Sequence, residues 1–404
     1  MKRILVVGGG QAGHSVAAKL RSCGFDGRIV LICGEDELPY QRPPLSKKYL
    51  LGEFERERLH LRPRDYYSDN GIELMLGERC NGIDPNGRKI ELGSGVLNYD
   101  ELVLATGSTP RNLPERAGGL LDGVHTVRTV ADIDGMRSEL AAGMNVLVVG
   151  GGYIGLETAA TCATKGCNVT IVEVADRILQ RVAAPETSNY FRALHSDRGV
   201  RVLEGTALAR LLAGTGGRVA AAELKDAGRI DADLAVVGIG ILPSTELAEA
   251  AGLEIDNGIR VDAYGRTSAD GVWAAGDCAS FPLGGKRIRL ESVQNAIDQA
   301  EIVAENILGA EREYVPVPWF WSDQFDAKLQ IAGLGTGYDR IISRRIEGAA
   351  AASFWYFAGD SLLAVDAIND SRSYMVGKRL LETGKAANTE VLADPSANLK
   401  LLIR

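Results

Sequence analysis

The sequence lacks any long apolar run, and its longest apolar runs are only a few residues. A membrane-spanning helix needs about 20 apolar residues, so a membrane span is excluded. The net charge of -8 and a pI near 5.3 argue against a nucleic-acid partner. The first residues lead directly into an apolar strand, which leaves no room for a signal peptide. We therefore expect a cytoplasmic protein.

Cysteine and histidine are also scarce. The six cysteines are scattered and none forms a C-x-x-C pair, while the four histidines are dispersed. Structural zinc sites and redox dithiols usually need closely spaced ligands. The sequence therefore predicts reduced structural thiols, no disulfide framework and no metal site.

Glycine, in contrast, is abundant, with 48 residues in a chain of 404, a length that suits two or three domains. The motif Gly8-Gly9-Gly10-Gln11-Ala12-Gly13 follows an apolar strand and opens a helix. In such a turn Gly8 permits the sharp bend, Gly10 lets the backbone approach a pyrophosphate, and Gly13 allows close helix–strand packing. The helix N-terminus attracts the phosphates. Glu35, near the end of the next strand, can accept hydrogen bonds from a ribose.

The same arrangement recurs at Gly150-Gly151-Gly152-Tyr153-Ile154-Gly155, and the following strand ends at Glu173. Two complete motifs in one chain favour two dinucleotide sites over two structural glycine turns. The Glu173 carboxylate can bond the free ribose hydroxyls of NAD and would repel the extra phosphate of NADP. NADH is therefore the expected electron donor, and Arg177 nearby leaves NADPH disfavoured rather than excluded.

Two further segments resemble signatures of the glutathione-reductase-like flavoproteins. They run from Tyr99 to Arg111, including Ala105-Thr106-Gly107, and from Thr267 to Asp277. The resemblance implies that the first glycine turn holds FAD and that Asp277 bonds its ribityl chain.

The order of these motifs implies an NAD domain inserted into an FAD domain. We predict an α/β protein with two Rossmann-like dinucleotide-binding domains and a small α+β C-terminal domain. The predicted boundaries are 1–112 and 242–317 for the FAD domain, 113–241 for the NAD domain, and 318–404 for the C-terminal domain.

The stretch Leu38–Lys47 has no cysteine, whereas disulfide reductases of this class carry a redox dithiol there. This stretch, with Pro318–Gln324 and Gly337–Arg340, resembles the NADH-dependent ferredoxin reductases of the putidaredoxin reductase and aromatic-ring dioxygenase type. The resemblance spans the whole chain. It implies that NADH is oxidised at FAD and that single electrons pass to a two-iron ferredoxin, which feeds a haem-thiolate monooxygenase or a Rieske oxygenase.

The resemblance also assigns cofactor contacts residue by residue. The expected FAD contacts include Ala12, Arg42, Lys47, Cys80 through its backbone, Arg128, Asp277 and Val293. The expected nicotinamide-dinucleotide contacts include Gly150, Gly152, Tyr153, Ile154, Glu173 and Gly240.

Three residues are candidates for the chemistry itself. We hypothesise that Lys47 pairs with Glu157 beside flavin N5, where a buried cation stabilises incoming electron density. The alternative is that both are ordinary surface charges. Trp321 is expected near the flavin edge that faces the ferredoxin, with simple core packing as the alternative.

An acidic ferredoxin needs a basic patch on this acidic chain. The candidates are Lys286-Arg287 with Arg289, and Arg340 with Arg344-Arg345, although such runs are more often solvated faces. Other functions stay open: a reductase for rubredoxin, a quinone or monodehydroascorbate, or a redox-sensing NADH-binding flavoprotein. Nothing demands more than a monomer or weak dimer.

Overall fold

The computed structural model describes residues 2–225, 228–345 and 350–403. The chain divides into two compact units. The first contains residues 1–42, 55–109 and 241–316, and the second contains residues 43–54, 110–240 and 317–404. The segment 43–54 thus belongs to the second unit, although the predicted boundaries place it in the FAD domain. The division into three domains stays a prediction.

The strands within the described residues follow in chain order. They are β1 (Arg3–Val7), β2 (Arg28–Cys33), β3 (Ile72–Leu76), β4 (Cys80–Asp84), β5 (Lys89–Leu92), β6 (Gly95–Asn98), β7 (Glu101–Leu104), β8 (Ser108–Pro110), β9 (Val124–His125), β10 (Asn145–Val149), β11 (Asn168–Val172), β12 (Arg201–Leu203), β13 (Leu208–Ala213), β14 (Val219–Leu224), β15 (Gly228–Asp231), β16 (Leu234–Val237), β17 (Ile241–Pro243), β18 (Ile259–Arg260), β19 (Val272–Ala274), β20 (Ala279–Leu283), β21 (Lys286–Ile288), β22 (Trp319–Gln324), β23 (Ala327–Gly333), β24 (Arg340–Arg345), β25 (Ala352–Ala358) and β26 (Ser361–Ile368).

The helices fall between these strands. The α-helices are α1 (Gln11–Ser22), α2 (Arg64–Asp69), α3 (Val130–Glu139), α4 (Tyr153–Thr164), α5 (Pro185–Asp197), α6 (Glu246–Ala250), α7 (Val293–Ile307), α8 (Ser371–Thr383) and α9 (Thr389–Ala393). One turn of π-helix covers Leu45–Tyr49. Short 3-10 turns cover Arg56–Leu59, Glu115–Ala117, Thr215–Gly217 and Leu399–Ile403.

The first unit is built on a five-stranded parallel sheet in the order β19-β7-β1-β2-β3. Successive side chains of a strand point to opposite faces. Ile4 and Val6 of β1 therefore pack with α1 and α7 on one face, and Leu5 and Val7 pack on the other. Of the second signature, which runs from Thr267 to Asp277, only Val272–Ala274 forms a strand of the sheet.

The second unit contains a second five-stranded parallel sheet, in the order β12-β11-β10-β16-β9. Helix α4 follows β10 directly, as the second glycine motif predicts. The C-terminal part forms an antiparallel sheet in the order β22-β23-β26-β25-β24, and α8 packs on β23 and β26. The predicted fold class is confirmed.

Two chain-wide features complete the description. The six cysteines, all of which lie among the described residues, are free thiols. Within residues 2–225, 228–345 and 350–403, no helix combines the length and apolar character that a bilayer crossing requires.

A buried carboxylate lies within the second unit, at Asp366 of β26. It accepts hydrogen bonds from Thr187 Oγ1 at 2.6 Å and from the Tyr356 hydroxyl, which in turn accepts from the Ala184 backbone N–H. Burial raises the pKa of Asp366 to about 6, against the opposing effect of these two donors. The folded chain therefore holds the Asp366 proton more tightly than the unfolded chain does.

We expect Asp366→Asn to remove a pH-dependent loss of stability. Because the folded-state pKa lies above the ordinary value, ionisation of Asp366 destabilises the wild type as the pH rises from about 4 to above 6. Relative to the wild type, the variant should therefore become more stable as the pH rises across this range. The difference in the free energy of unfolding should change by at most about 3 kcal/mol, and it should appear as a higher relative melting temperature. A difference in melting temperature between variant and wild type that stays constant from pH 4.5 to 7.5 would contradict this interpretation.

Candidate functional site

The first glycine turn joins β1 to α1 with very little space. A Cβ at Gly8, whose φ is +124°, would lie 2.1 Å from the Ala105 oxygen, and one at Gly13 would lie 1.9 Å from the Gly8 oxygen. The fold itself therefore requires both glycines. At Gly10 the backbone is extended, and a Cβ would meet no atom of the described residues within 4 Å. Glycine at this position leaves room for a ligand rather than for the protein.

The second turn repeats this division between β10 and α4. A Cβ at Gly150, whose φ is +109°, would lie 2.3 Å from the Gly238 oxygen, and one at Gly155 would lie 2.1 Å from the Gly150 oxygen. A Cβ at Gly152, in contrast, would meet nothing among the described residues within 4 Å. Both turns thus keep one open glycine facing a helix N-terminus.

The ends of the two helices also fit anionic ligands. No side chain in the described part of the chain caps α1 or α4, whereas Thr129, Ser292 and Asp370 cap α3, α7 and α8. The first N–H groups of a helix need acceptors, and a phosphate supplies them. The residues at both turns therefore fit the pyrophosphates of FAD and NADH.

Glu35 does not stand alone at the end of β2. Its Oε2 accepts a hydrogen bond from the Tyr40 hydroxyl at 2.6 Å, and its Oε1 accepts one from Arg42 at 2.7 Å. Arg42 also donates to the Tyr40 hydroxyl at 2.8 Å and lies over the Tyr40 ring. Burial lowers the pKa of Arg42, but Tyr40, Glu35 and Asp277 raise it overall. Sequence reasoning missed Tyr40, although it lies in the same proline-flanked stretch as Arg42.

The remaining candidates of the first unit gather at the carboxyl edge of its parallel sheet, where α/β proteins bind ligands. A Cβ at Gly276 would lie 2.9 Å from that of Ala12, so the first glycine turn and the second signature meet. Asp277 accepts a hydrogen bond from Ser108 at 2.8 Å. The other candidates take these positions: Ala105, Thr106 and Gly107 follow β7, Cys80 begins β4, and Val293 begins α7. Lys47 and Arg128 belong to the second unit.

At the second turn, backbone groups hold the Glu173 side chain. Its Oε2 accepts from the Gly151 N–H at 2.7 Å and its Oε1 accepts from the Ala175 N–H at 2.8 Å. Arg177 donates to the Ser188 hydroxyl at 2.6 Å, so its guanidinium is engaged within its own unit. A negative charge thus occupies the position that would meet a ribose, which favours NADH over NADPH.

The other nucleotide candidates of the second unit lie around α4. Tyr153 and Ile154 form its first turn, and the Tyr153 ring packs against Phe320 with ring centroids 4.7 Å apart. Gly240 follows β16 with a φ of +109°, and its carbonyl accepts from the Arg111 N–H at 2.9 Å. Burial raises the pKa of Tyr153 well above its ordinary value, so the phenol is neutral.

Lys47 and Glu157 form the predicted ion pair. Lys47 lies in the π-helical turn with φ -128° and ψ -110°, a single-turn distortion of the kind often found at functional sites. Its Nζ donates to Glu157 Oε2 at 2.6 Å and to the Pro43 carbonyl at 3.1 Å. Glu157 is only 3% exposed, so the alternative of two ordinary surface charges is wrong.

Two serine hydroxyls complete the surroundings of Glu157. Ser46 donates to Oε2 at 2.7 Å, and Ser322 of β22 donates to Oε1 at 2.7 Å. A buried carboxylate needs such donors in addition to its counter-ion. Sequence reasoning assigned no role to either serine, because a hydroxyl beside a candidate residue carries no distinctive spacing signal.

Trp321 stays partly exposed on β22, an edge strand of the C-terminal sheet. Its ring lies 5.6 Å from that of Trp319, which packs against Tyr374 and the C-terminal core. Phe320 points to the other face of the strand, toward Tyr153.

The two charge runs that are candidates for a basic patch are partly engaged with backbone carbonyls. Arg287 donates to the carbonyls of Val261 and Ser280, and Arg289 donates to those of Asn257 and Asp277. Arg344 is buried and donates to the carbonyls of Val391, Leu392, Asp394, Pro395 and Ala397. These three arginines satisfy backbone acceptors, and of the two runs only Lys286, Arg340 and Arg345 are left exposed. Arg344 is therefore excluded from a surface patch by its burial, and a docking role for the other residues of the two runs stays a prediction.

Comparisons with known proteins identify the family. Residues 2–300 match the family model "Pyridine nucleotide-disulphide oxidoreductase", and residues 319–403 match the model "Reductase C-terminal". Rhodocoxin reductase of Rhodococcus erythropolis is 42% identical over 403 residues, which cover 99% of this chain and 94% of that protein. The ferredoxin–NAD(+) reductase component of the anthranilate 1,2-dioxygenase system of Burkholderia cepacia is 40% identical over 407 residues, with 99% and 98% of the two chains covered.

A solved structure extends the similarity to three dimensions. The crystal structure of the covalent putidaredoxin reductase–putidaredoxin complex matches with a TM-score of 0.96 at 39% identity, covering 100% of this chain and 98% of that chain.

The open glycine of the second turn can be tested directly. We expect Gly152→Ala to fold with an unchanged flavin spectrum but to bind NADH at least about tenfold more weakly, because its methyl group would occupy the place of a phosphate. Gly155→Ala is the matched variant, and its methyl group should destabilise the fold by about 2 kcal/mol. Normal NADH affinity of Gly152→Ala in a rapid-mixing titration would remove Gly152 from the site.

Proposed function

Because the chain belongs to the pyridine nucleotide-disulphide oxidoreductase family, and within it to the NADH-dependent ferredoxin reductases, we propose that it oxidises NADH at a bound FAD and reduces a two-iron ferredoxin one electron at a time. That ferredoxin would feed a haem-thiolate monooxygenase or a Rieske oxygenase. The observation that carries the proposal is the buried Lys47–Glu157 pair, whose carboxylate lies on the helix that begins at the second nucleotide turn.

Bound FAD supplies the electron chemistry, since a flavin accepts hydride from a nicotinamide and can release electrons singly. The protein contributes binding and charge. In the first unit, the open side of Gly10 and the N-terminus of α1 would receive the FAD pyrophosphate. Glu35 would accept from the adenosine ribose, oriented by Tyr40 and Arg42.

In the second unit, Gly152 and the N-terminus of α4 would receive the pyrophosphate of NADH. Glu173 would accept from the ribose hydroxyls while both of its oxygens stay fixed by backbone N–H groups. A carboxylate has more acceptor sites than these two bonds use, so ribose binding needs no rearrangement.

We propose that Lys47 acts on the flavin through its charge. An ammonium group has three N–H donors, and those of Lys47 engage Glu157 and the Pro43 carbonyl. No acceptor for the third N–H lies among residues 2–225, 228–345 and 350–403. A cation held in this way favours electron density arriving nearby, because a preformed charge needs no reorganisation.

We propose that the ferredoxin binds this protein transiently. We also propose that this protein acts as a monomer or weak dimer. Cytoplasmic action fits this scheme, since NADH is the proposed electron donor. A different acceptor, such as rubredoxin, a quinone or monodehydroascorbate, or a redox-sensing role without turnover, would use the same two cofactor sites.

The electron acceptor can be identified with a coupled assay. We expect NADH-driven reduction of cytochrome c by the purified yellow protein to depend on an added two-iron ferredoxin, since the cytochrome reports electrons that the ferredoxin releases. Each protein alone is the control. Turnover with a quinone and no response to several two-iron ferredoxins would overturn the ferredoxin assignment and leave the FAD and NADH sites in place.

The partly exposed Trp321 is proposed to contact the ferredoxin. We expect Trp321→Ala to lower kcat/KM for ferredoxin by about tenfold, because an exposed Trp at a protein interface often contributes more than 1 kcal/mol. The rate of flavin reduction by NADH should stay unchanged. Tyr338→Ala, at another partly exposed aromatic of the same domain, is the control. Unchanged ferredoxin kinetics for Trp321→Ala would exclude this contact.

A further inference from the structure

A row of buried polar side chains connects the C-terminal sheet to Glu157. Alternate residues of a strand share a face, so Phe320, Ser322 and Gln324 of β22 point the same way. Ser322 and Gln324 are fully buried, which is unusual for polar side chains unless each has a partner. Both are in fact bonded, and their partners lie on α4 and α5.

The row contains three hydrogen bonds in sequence. His195 Nε2 lies 2.9 Å from Gln324 Oε1, Gln324 Nε2 lies 3.2 Å from Ser322 Oγ, and Ser322 Oγ lies 2.7 Å from Glu157 Oε1. The four side chains therefore form one continuous chain of polar contacts that ends on the carboxylate.

The carboxylate fixes the direction of every bond in this row. An ionised carboxylate only accepts, so the Ser322 hydroxyl must donate to Glu157. Ser322 Oγ can then only accept from Gln324, which directs the amide NH2 toward Ser322 and the amide oxygen toward His195. His195 must in turn carry its proton on Nε2. Each link therefore donates toward Glu157.

The surroundings of His195 agree with this direction. Its Nδ1 is buried and has no hydrogen-bond partner among the described residues, so a proton there would have no acceptor. Burial lowers the pKa of His195, against the opposing effect of the bond with Gln324. The ring is therefore neutral at neutral pH, and the directed row places its single proton on Nε2.

We propose that Ser322, Gln324 and His195 are positioning residues for the Lys47–Glu157 pair. They hold one carboxylate oxygen so that the other meets Lys47, and the charge of Lys47 stays at one place. The inference rests on the proposed function of that pair, and it gives the C-terminal domain a part in hydride acceptance in addition to any contact with ferredoxin.

The direction of the row can be read from the histidine rings. The chain has only four histidines, so selective ¹⁵N-histidine labelling of the flavin-loaded protein gives few ring signals, and His195→Gln assigns the relevant one. We expect the Nε2–H tautomer for His195, without titration between pH 6 and 8. An Nδ1–H tautomer would overturn the proposal, whatever the variants do.

The functional effect can be measured with matched serine variants. We expect Ser322→Ala to slow flavin reduction by NADH about tenfold in stopped flow, because the carboxylate loses a donor. The dissociation constant of NADH should not change, and the midpoint potential of the flavin should fall. Ser322→Thr keeps the hydroxyl and should restore the rate of flavin reduction and the midpoint potential of the flavin. The control is Ser353→Ala, since Ser353 is equally buried in the same sheet but bonds to Ser373 and Trp355.

Two further variants separate this inference from the function on which it rests. If Lys47→Met and Glu157→Gln slow flavin reduction while Ser322→Ala behaves like Ser353→Ala, the positioning role is wrong and the pair keeps its function. If neither pair variant changes the rate, the proposed function of the pair fails first, and the positioning role fails with it.

Discussion

The second unit is organised around one buried negative charge. Glu157 is 3% exposed, and an isolated charge at such a depth would cost several kcal/mol. Its compensation comes from two separate parts of the chain: the π-helical turn provides Ser46 and Lys47, and the C-terminal sheet provides Ser322. These segments must therefore fold together before the charge is satisfied. The nucleotide helix, the proline-flanked turn and the C-terminal strand are coupled through a single side chain.

Close packing at the second glycine turn determines where this charge lies. Helix α4 can approach β10 only because Gly155 has no side chain, and this approach also sets where Glu157 lies, two residues further along the helix. The position of the charge is therefore a consequence of backbone packing. The second nucleotide turn and the Glu157 carboxylate of the ion pair therefore both depend on the close packing of α4 against β10.

The sequence predicted the features that have a fixed local spacing. Both glycine turns, the strands before them and the helices after them follow from the motif, because the first and last glycine of each motif lie against a backbone oxygen. The pairing of Lys47 with Glu157 was also predicted, as a hypothesis about a buried cation beside the flavin. Tyr40, Ser46 and Ser322 were missed because their partners are set by the folded chain rather than by spacing. The hydrogen bonds of Arg287, Arg289 and Arg344 to backbone carbonyls were missed for a related reason, since composition does not reveal them.

Arg344 fixes the conformation of the last part of the described chain. Its guanidinium gathers five carbonyl groups between Val391 and Ala397, and Leu392 and Leu399 pack into the core beside it. The segment from Val391 to Leu399 is therefore held against the C-terminal domain by the hydrogen bonds of Arg344 and by the packing of Leu392 and Leu399. A chain that ended before Val391 would leave a buried cation without these acceptors, so the fold of the C-terminal sheet depends on the segment from Val391 to Ala397.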